Sequence, residues 1–300
     1  MNKKTPSILA LGTFDGVHRG HRALIEKTKE IAANRGMSSV VYTFSNHPRS
    51  IFADPPDMLQ TSGERRDKLE SLGVDVVFMQ VFDKAFAHLS PEEFVHMLNA
   101  RFDLQGVVAG FNYTFGVKGL GTVETMQALG KKLGFSVDVV PPVLYKEETV
   151  SSTRIRDCIL GGRMEDVCAM LVEPYSLTGT IVKNKRIGTS IGFPTANILP
   201  PEKKALPKMG VYATMVRVDG ENHPAITNVG NNPTVNGERM TIETHLLDVN
   251  RDLYGRELTV MFYSFIREER RFENKEALGT QIGADVERTR VILREQGKIV

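Results

Sequence analysis

Two histidines three residues apart stand in Gly12-Thr13-Phe14-Asp15-Gly16-Val17-His18-Arg19-Gly20-His21. A neutral imidazole offers one N–H donor and one bare nitrogen, and its charge changes near neutral pH. The segment follows an apolar run, Ile8-Leu9-Ala10-Leu11, that reads as a buried strand. It precedes residues 22–35, where Ala23, Leu24, Lys27, Ile31 and Ala32 recur at helical spacing. The pair therefore falls at a strand–loop–helix junction, where backbone N–H groups and the helix dipole favour an anion. Imidazoles added there would donate to phosphate oxygens, which predicts nucleotidyl-transfer chemistry. Half of a zinc site is the alternative, but no further ligands are spaced to complete it.

Three other segments are expected to reach the same rim. Asn46-His47-Pro48 follows the second strand, Gly110-Phe111-Asn112-Tyr113-Thr114-Phe115-Gly116 the fourth, and Ser151-Ser152-Thr153-Arg154-Ile155-Arg156 the fifth. Hydroxyls at a helix start followed by arginine suit a polyphosphate. Each also has a plainer reading: a cap for the hydroxyls, a turn for His47, and packing for the alternating aromatics.

A second constellation lies further on. Residues 179–197, rich in glycine and cations, suit a polyphosphate loop, and Thr195 and Asn197 offer two neutral oxygens to a hard cation such as Mg2+. In Thr241-Ile242-Glu243-Thr244-His245, the Glu243 carboxylate on a strand could take a proton from a hydroxyl; an exposed strand glutamate is the alternative.

The elements that must position these groups change rhythm along the chain. Strands are expected at 8–12, 39–44, 76–82, 106–110 and 136–140, alternating with helices near 21–34, 62–71, 91–102 and 123–133. That order predicts a mostly parallel sheet covered by helices, with ligands beyond the C-terminal strand ends. Neither a G-x-G-x-x-G fingerprint after the first strand nor a Walker A sequence is present. Two short helices, 153–160 and 163–171, lead to β-rich runs at 175–182, 211–218, 223–229, 241–247 and 257–265, which suit a compact barrel or sandwich. Residues 274–296 carry Leu278, Ile282, Val286 and Leu293 on one helical face.

The chain has 300 residues and a formal net charge of +2, too weak an imbalance to argue for nucleic acid or an acidic membrane surface. No apolar run is long enough for a membrane span, and the N-terminus shows no signal-peptide pattern. Cys158 and Cys168, the only cysteines, are expected as reduced thiols in the cytoplasm.

With Gly-Phe-Pro-Thr-Ala-Asn at 192–197, Asn-Val-Gly-Asn-Asn-Pro-Thr at 228–234, Glu-Thr-His-Leu-Leu-Asp at 243–248 and Leu-Tyr-Gly at 253–255 added to the first motifs, the chain resembles the bifunctional prokaryotic riboflavin kinase/FAD synthetase family from residue 7 to 295. The resemblance implies an α/β, Rossmann-like FMN adenylyltransferase domain over 1–172. It implies a riboflavin kinase domain over 173–300, a six-stranded antiparallel β-barrel with a C-terminal helix. Carried onto this sequence, it places Gly12, Phe14, Asp15, His18, His21, Ser152, Thr153 and Arg156 on the ATP of adenylyl transfer, with His18 and His21 catalytic. Asn46, His47 and Asn112 would serve the flavin. Lys183, Gly188, Thr195 and Asn197 would serve the kinase ATP, with Mg2+ on Thr195 and Asn197, and Glu243 would be the kinase base. Thr13, Asn46 and Asn184 depart from the common pattern. The implied partners are ATP, riboflavin and FMN, without nucleic acid or membrane; a homo-oligomer stays open. One silent module, or a non-enzymatic flavin-binding regulator, are the rival readings.

Overall fold

A computed structural model of the chain describes residues 5–182, 193–234, 237–249 and 253–299. Two compact units divide it, Met1–Ser152 and Thr153–Val300.

In the first unit, β1 (Ser7–Leu11), β2 (Ser38–Phe44), β3 (Val76–Gln80), β4 (Leu104–Gly110) and β5 (Ser136–Val140) form one parallel sheet in the order β3-β2-β1-β4-β5. Helices α1 (Arg19–Arg35), α2 (Ser62–Ser71), α3 (Lys84–Ala87), α4 (Pro91–Phe102) and α5 (Val123–Leu133) connect them. Side chains alternate across a strand, so β1 feeds two cores. Leu9 and Leu11 join Phe94, Leu98 and Met126 of α4 and α5 on one face, while Ile8 and Ala10 join Leu24, Ile25 and Ile31 of α1 on the other. Every residue of β1 is buried, as expected for a central parallel strand.

The α1 face differs in detail from the sequence expectation. Its buried residues are Leu24, Ile25, Thr28, Ile31 and Ala32, so Ala23 and Lys27 flank the contact. Thr28 hides its hydroxyl by donating to the Leu24 carbonyl at 2.8 Å, which makes a polar residue acceptable there. Helix α4 begins on a reciprocal cap between Ser90 and Glu93, with Pro91 in the first turn. Beyond β5 comes a small hairpin, β6 (Leu144–Tyr145) and β7 (Glu148–Thr149). Neither α3 nor this hairpin was expected; both are too short to show a hydrophobic period.

Helices α6 (Ser152–Leu160) and α7 (Met164–Leu171) precede β8 (Tyr175–Val182), β9 (Ala196–Ile198), β10 (Gly210–Val218), β11 (Glu221–Thr234), β12 (Gly237–Leu246), β13 (Glu257–Arg267) and α8 (Lys275–Glu295). The six strands close into an antiparallel barrel in the order β10-β11-β12-β9-β8-β13, which resolves the choice between barrel and sandwich. Inside it, three fully buried hydroxyls form a chain. Thr244 and Thr227 lie 3.0 Å apart, Thr227 and Thr214 2.8 Å apart, and Thr214 donates to the Ala225 carbonyl at 3.0 Å. The buried face of α8 includes Asp285 and Thr289 beside Ile292 and Leu293. The unit boundary at Ser152/Thr153 lies ahead of the expected 172/173 division, and α7 packs on β8 and β13.

Candidate active sites

At the C-terminal end of β1, the chain turns through Phe14 and Val17, both buried non-glycine residues at positive φ (52° and 42°). A β-branched residue at such a φ is strained, and strain of this kind collects at functional sites. Gly12 leaves room for the Phe14 ring, since a Cβ there would stand 3.1 Å from it. The Asp15 carboxylate receives the Leu59 and Gln60 amides at 3.0–3.3 Å, and the Asp15 carbonyl accepts from the Ser152 hydroxyl at 2.9 Å. Thus Asp15 ties two distant segments to the turn.

His18 is the N-cap of α1, with Nδ1 accepting the His21 amide at 3.4 Å. An acceptor Nδ1 puts the neutral ring's proton on Nε2. The two imidazoles stack with centroids 3.7 Å apart, and the Phe14 ring lies 5.1 Å from His21. Burial lowers the His18 pKa to about 4. His21 is pushed well below its ordinary value, mainly by burial and then by the charges of His18 and Arg65. Both rings are therefore neutral at pH 7, which is what permits face-to-face contact. Nδ1 of His21 is buried with no hydrogen-bond partner among the described residues.

The other expected residues of this unit are less alike. Asn46 clasps the Phe82 backbone, receiving its amide at 2.8 Å and donating to its carbonyl at 2.9 Å, so its side chain braces the loop after β2. His47 caps a short 3-10 turn through Nδ1, which accepts the Arg49 amide at 3.1 Å. Asn112 is exposed in the turn after β4. Of the alternating aromatics, Phe115 is buried and stacks with Tyr113, whereas Phe111 is 46% exposed. Ser152 opens α6, and Thr153 and Arg156 follow on it within the second unit.

In the second unit, antiparallel pairing places Asn197 of β9 and Asn228 of β11 directly opposite Glu243 of β12. Ile242, Thr244 and Leu246 are buried, so Glu243 and His245 share the other face of the strand. Both line a cavity of about 350 Å3 with Thr195, Asn228, Arg267, Glu269, Arg270, Phe272 and residues of α8. Burial raises the Glu243 pKa, and the charge of Glu269 raises it further. Glu269 itself receives the Asn228 amide at 2.9 Å. The α8 wall is anchored by the Arg267 guanidinium on the buried Asp285 carboxylate at 2.7–3.1 Å. Nδ2 of Asn197 lies 3.5 Å from the Thr195 hydroxyl. Lys183, Asn184 and Gly188 lie outside the described residues.

The sequence reading missed His245, Glu269 and Arg65. His245 was visible in Glu-x-His; Glu269 gave no signal, because only barrel closure brings β13's end to Asn228. Arg65, 2% exposed, donates to the Phe44 carbonyl while its Nε is buried without a partner among the described residues. On a short polar helix it reads as a solvated cation.

Comparison with known proteins agrees with this two-part layout. The sequence pattern of the family described as FAD synthetase matches residues 1–154, and that of riboflavin kinase matches residues 171–293. A bifunctional riboflavin kinase/FMN adenylyltransferase of Listeria monocytogenes is 36% identical over 94% of this chain and 91% of its own length. That of Bacillus subtilis is 34% identical over 94% and 91%. A crystal structure named as a macrolide-efflux protein from Streptococcus pneumoniae superposes with a TM-score of 0.89 at 32% identity, covering 97% of this chain and 95% of that one. Among the described residues no helix is long and apolar enough to cross a membrane. With both domains present and relatives aligned along nearly its whole length, the chain belongs to the bifunctional riboflavin kinase/FMN adenylyltransferase family.

Proposed function

We propose that this chain phosphorylates riboflavin to FMN in its second domain and adenylylates FMN to FAD in its first, taking 1–172 and 173–300 as the working modules. The observation that carries the reading is that Glu243, paired across the strands with Asn197, lines one cavity with Thr195. A carboxylate whose pKa is raised by burial is a better base for a hydroxyl than an ordinary glutamate. Glu243 accepts the proton of the ribityl 5′-hydroxyl as that oxygen attacks the γ-phosphate of ATP, and ADP leaves.

The second reaction needs no base. An FMN phosphate oxygen, already an anion, attacks the α-phosphate of another ATP and pyrophosphate leaves. The demands are in-line positioning and charge stabilisation. Neutral His18 and His21 would meet them as N–H donors beside the α1 N-terminus, with Ser152 on the same nucleotide. Asn46 and His47 brace the loop after β2, and with Asn112 they would border the flavin.

The family is consistent with a divalent-metal requirement. The hydroxyl of Thr195 and the amide oxygen of Asn197 are hard, neutral donors. Among the described residues no group of three or more His, Cys, Asp or Glu could hold a metal. Such a sparse oxygen set fits Mg2+, which takes few protein ligands and completes its shell with phosphates and water. Bound there, Mg2+ would supply charge neutralisation for the transferring phosphates. Both cysteines are free thiols, and we assign the protein to the cytoplasm, with neither nucleic acid nor membrane as a partner. Incubation with riboflavin, ATP and Mg2+, followed by separation of the flavins, should show FMN and then FAD. Riboflavin recovered unchanged would refute the proposal.

A further inference from the structure

We infer that His245 is a positioning residue of the kinase site, holding Thr195 at the nucleotide through the carbonyl of Pro194. This inference rests on the kinase reading above. The register of β12 against β9 pairs Thr244 with Ala196 and Glu243 with Asn197, and stops there. One step further, Thr195 would stand opposite His245. Pro194 carries no N–H and cannot extend a ladder as a donor. A side chain takes over where the backbone pairing ends: Nδ1 of His245 lies 2.8 Å from the Pro194 oxygen. A carbonyl only accepts, so the ring carries its proton on Nδ1. The Phe193 ring meets the imidazole edge to face, with centroids 5.3 Å apart at 80°, which fixes the plane of the donor.

The consequence reaches the chemistry. Phe193, Thr195, Glu243 and His245 line one cavity. Because His245 and Glu243 lie two apart on the same strand face, the contact to Pro194 ties Thr195 to the strand that presents the base. Loss of the contact should free the 193–195 segment and leave the carboxylate in place. Nucleotide affinity would suffer more than the chemical step.

Three variants separate this from a merely structural role. His245→Ala should raise the KM for ATP in FMN formation about tenfold, the worth of one well-made hydrogen bond, with kcat changed less than about threefold. His245→Asn puts an amide N–H near the place of Nδ1–H and should restore most of the affinity; His245→Gln, whose amide reaches the place of Nε2, should not. FAD formation from supplied FMN should be unchanged in all three. An unaltered KM in His245→Ala would overturn the inference, as would equal defects in the Ala and Asn variants. A collapse of kcat at constant KM would overturn it by placing His245 in the chemical step. Absence of FMN formation by the unmodified protein would instead defeat the kinase reading.

Discussion

Acid should weaken the first domain through His18 in a way that a neutral substitute abolishes. The unfolded histidine takes up a proton below its ordinary pKa of 6.5, whereas the folded one does so only near pH 4, because burial disfavours the charged ring. Between those values unfolding takes up a proton, so stability present above pH 6.5 is lost as pH falls towards 4. From these two pKa values the loss is about 2 kcal/mol between pH 7 and pH 5, rising to about 3 kcal/mol by pH 4. His18→Asn keeps a side chain that caps helices well and cannot titrate. His21 titrates in both proteins, and burial, the largest cause of its lowered pKa, remains in the variant, so the difference between the two proteins reports chiefly His18. The chain has no tryptophan, so calorimetry is the suitable assay. For a unit of 152 residues, about 2 kcal/mol corresponds to about 4–8 °C. The first-domain transition should therefore fall by that much more in the unmodified protein than in His18→Asn on going from pH 7 to pH 5. An equal fall in both would show that the ring is not buried neutral, and the account of the stacked imidazoles would fail with it.

Other outcomes follow from the second domain. Glu269→Gln removes a like charge that raises the Glu243 pKa, so the acid limb of FMN formation should move to lower pH; an unmoved limb would remove Glu269 from the base's surroundings. Thr227→Val breaks the hydroxyl chain inside the barrel and leaves Thr244 without its partner, which should cost about 1–3 kcal/mol by denaturant unfolding; no loss would refute that chain. Arg267→Met strands the buried Asp285 carboxylate and should cost about 3–5 kcal/mol, largely recovered in Arg267→Met/Asp285→Leu. A double variant no better than the single would show that the ion pair is not what anchors α8.

The legible parts of the fold were those where hydrophobic period and turn chemistry agree. Strand β1 shows as Ile8-Leu9-Ala10-Leu11, and α4 announces itself by Ser90-Pro91-Glu92-Glu93. Strand β9 escaped notice because three residues cannot display alternation, although without it Thr195 and Asn197 would have no fixed relation to Glu243. Short motifs named His18, His21 and Glu243 because their chemistry is local to each segment. What they could not give is which polar groups serve the scaffold. The Asp15 carboxylate and the Asn46 amide are engaged by backbone far along the chain, and only tertiary structure assigns them that work. In the same way, Arg65 and Glu269 depend on partners that neither the helix period nor the strand period reveals.

The most direct measurement of the two-site account is a crossed assay on two variants, following FMN formation from riboflavin and FAD formation from supplied FMN. Glu243→Gln should lose about 10²–10⁴-fold in the first reaction and keep the second. His21→Ala should lose FAD formation and keep FMN formation. Parallel loss of both reactions in either variant, or full FAD output from His21→Ala, would contradict the assignment of one reaction to each domain.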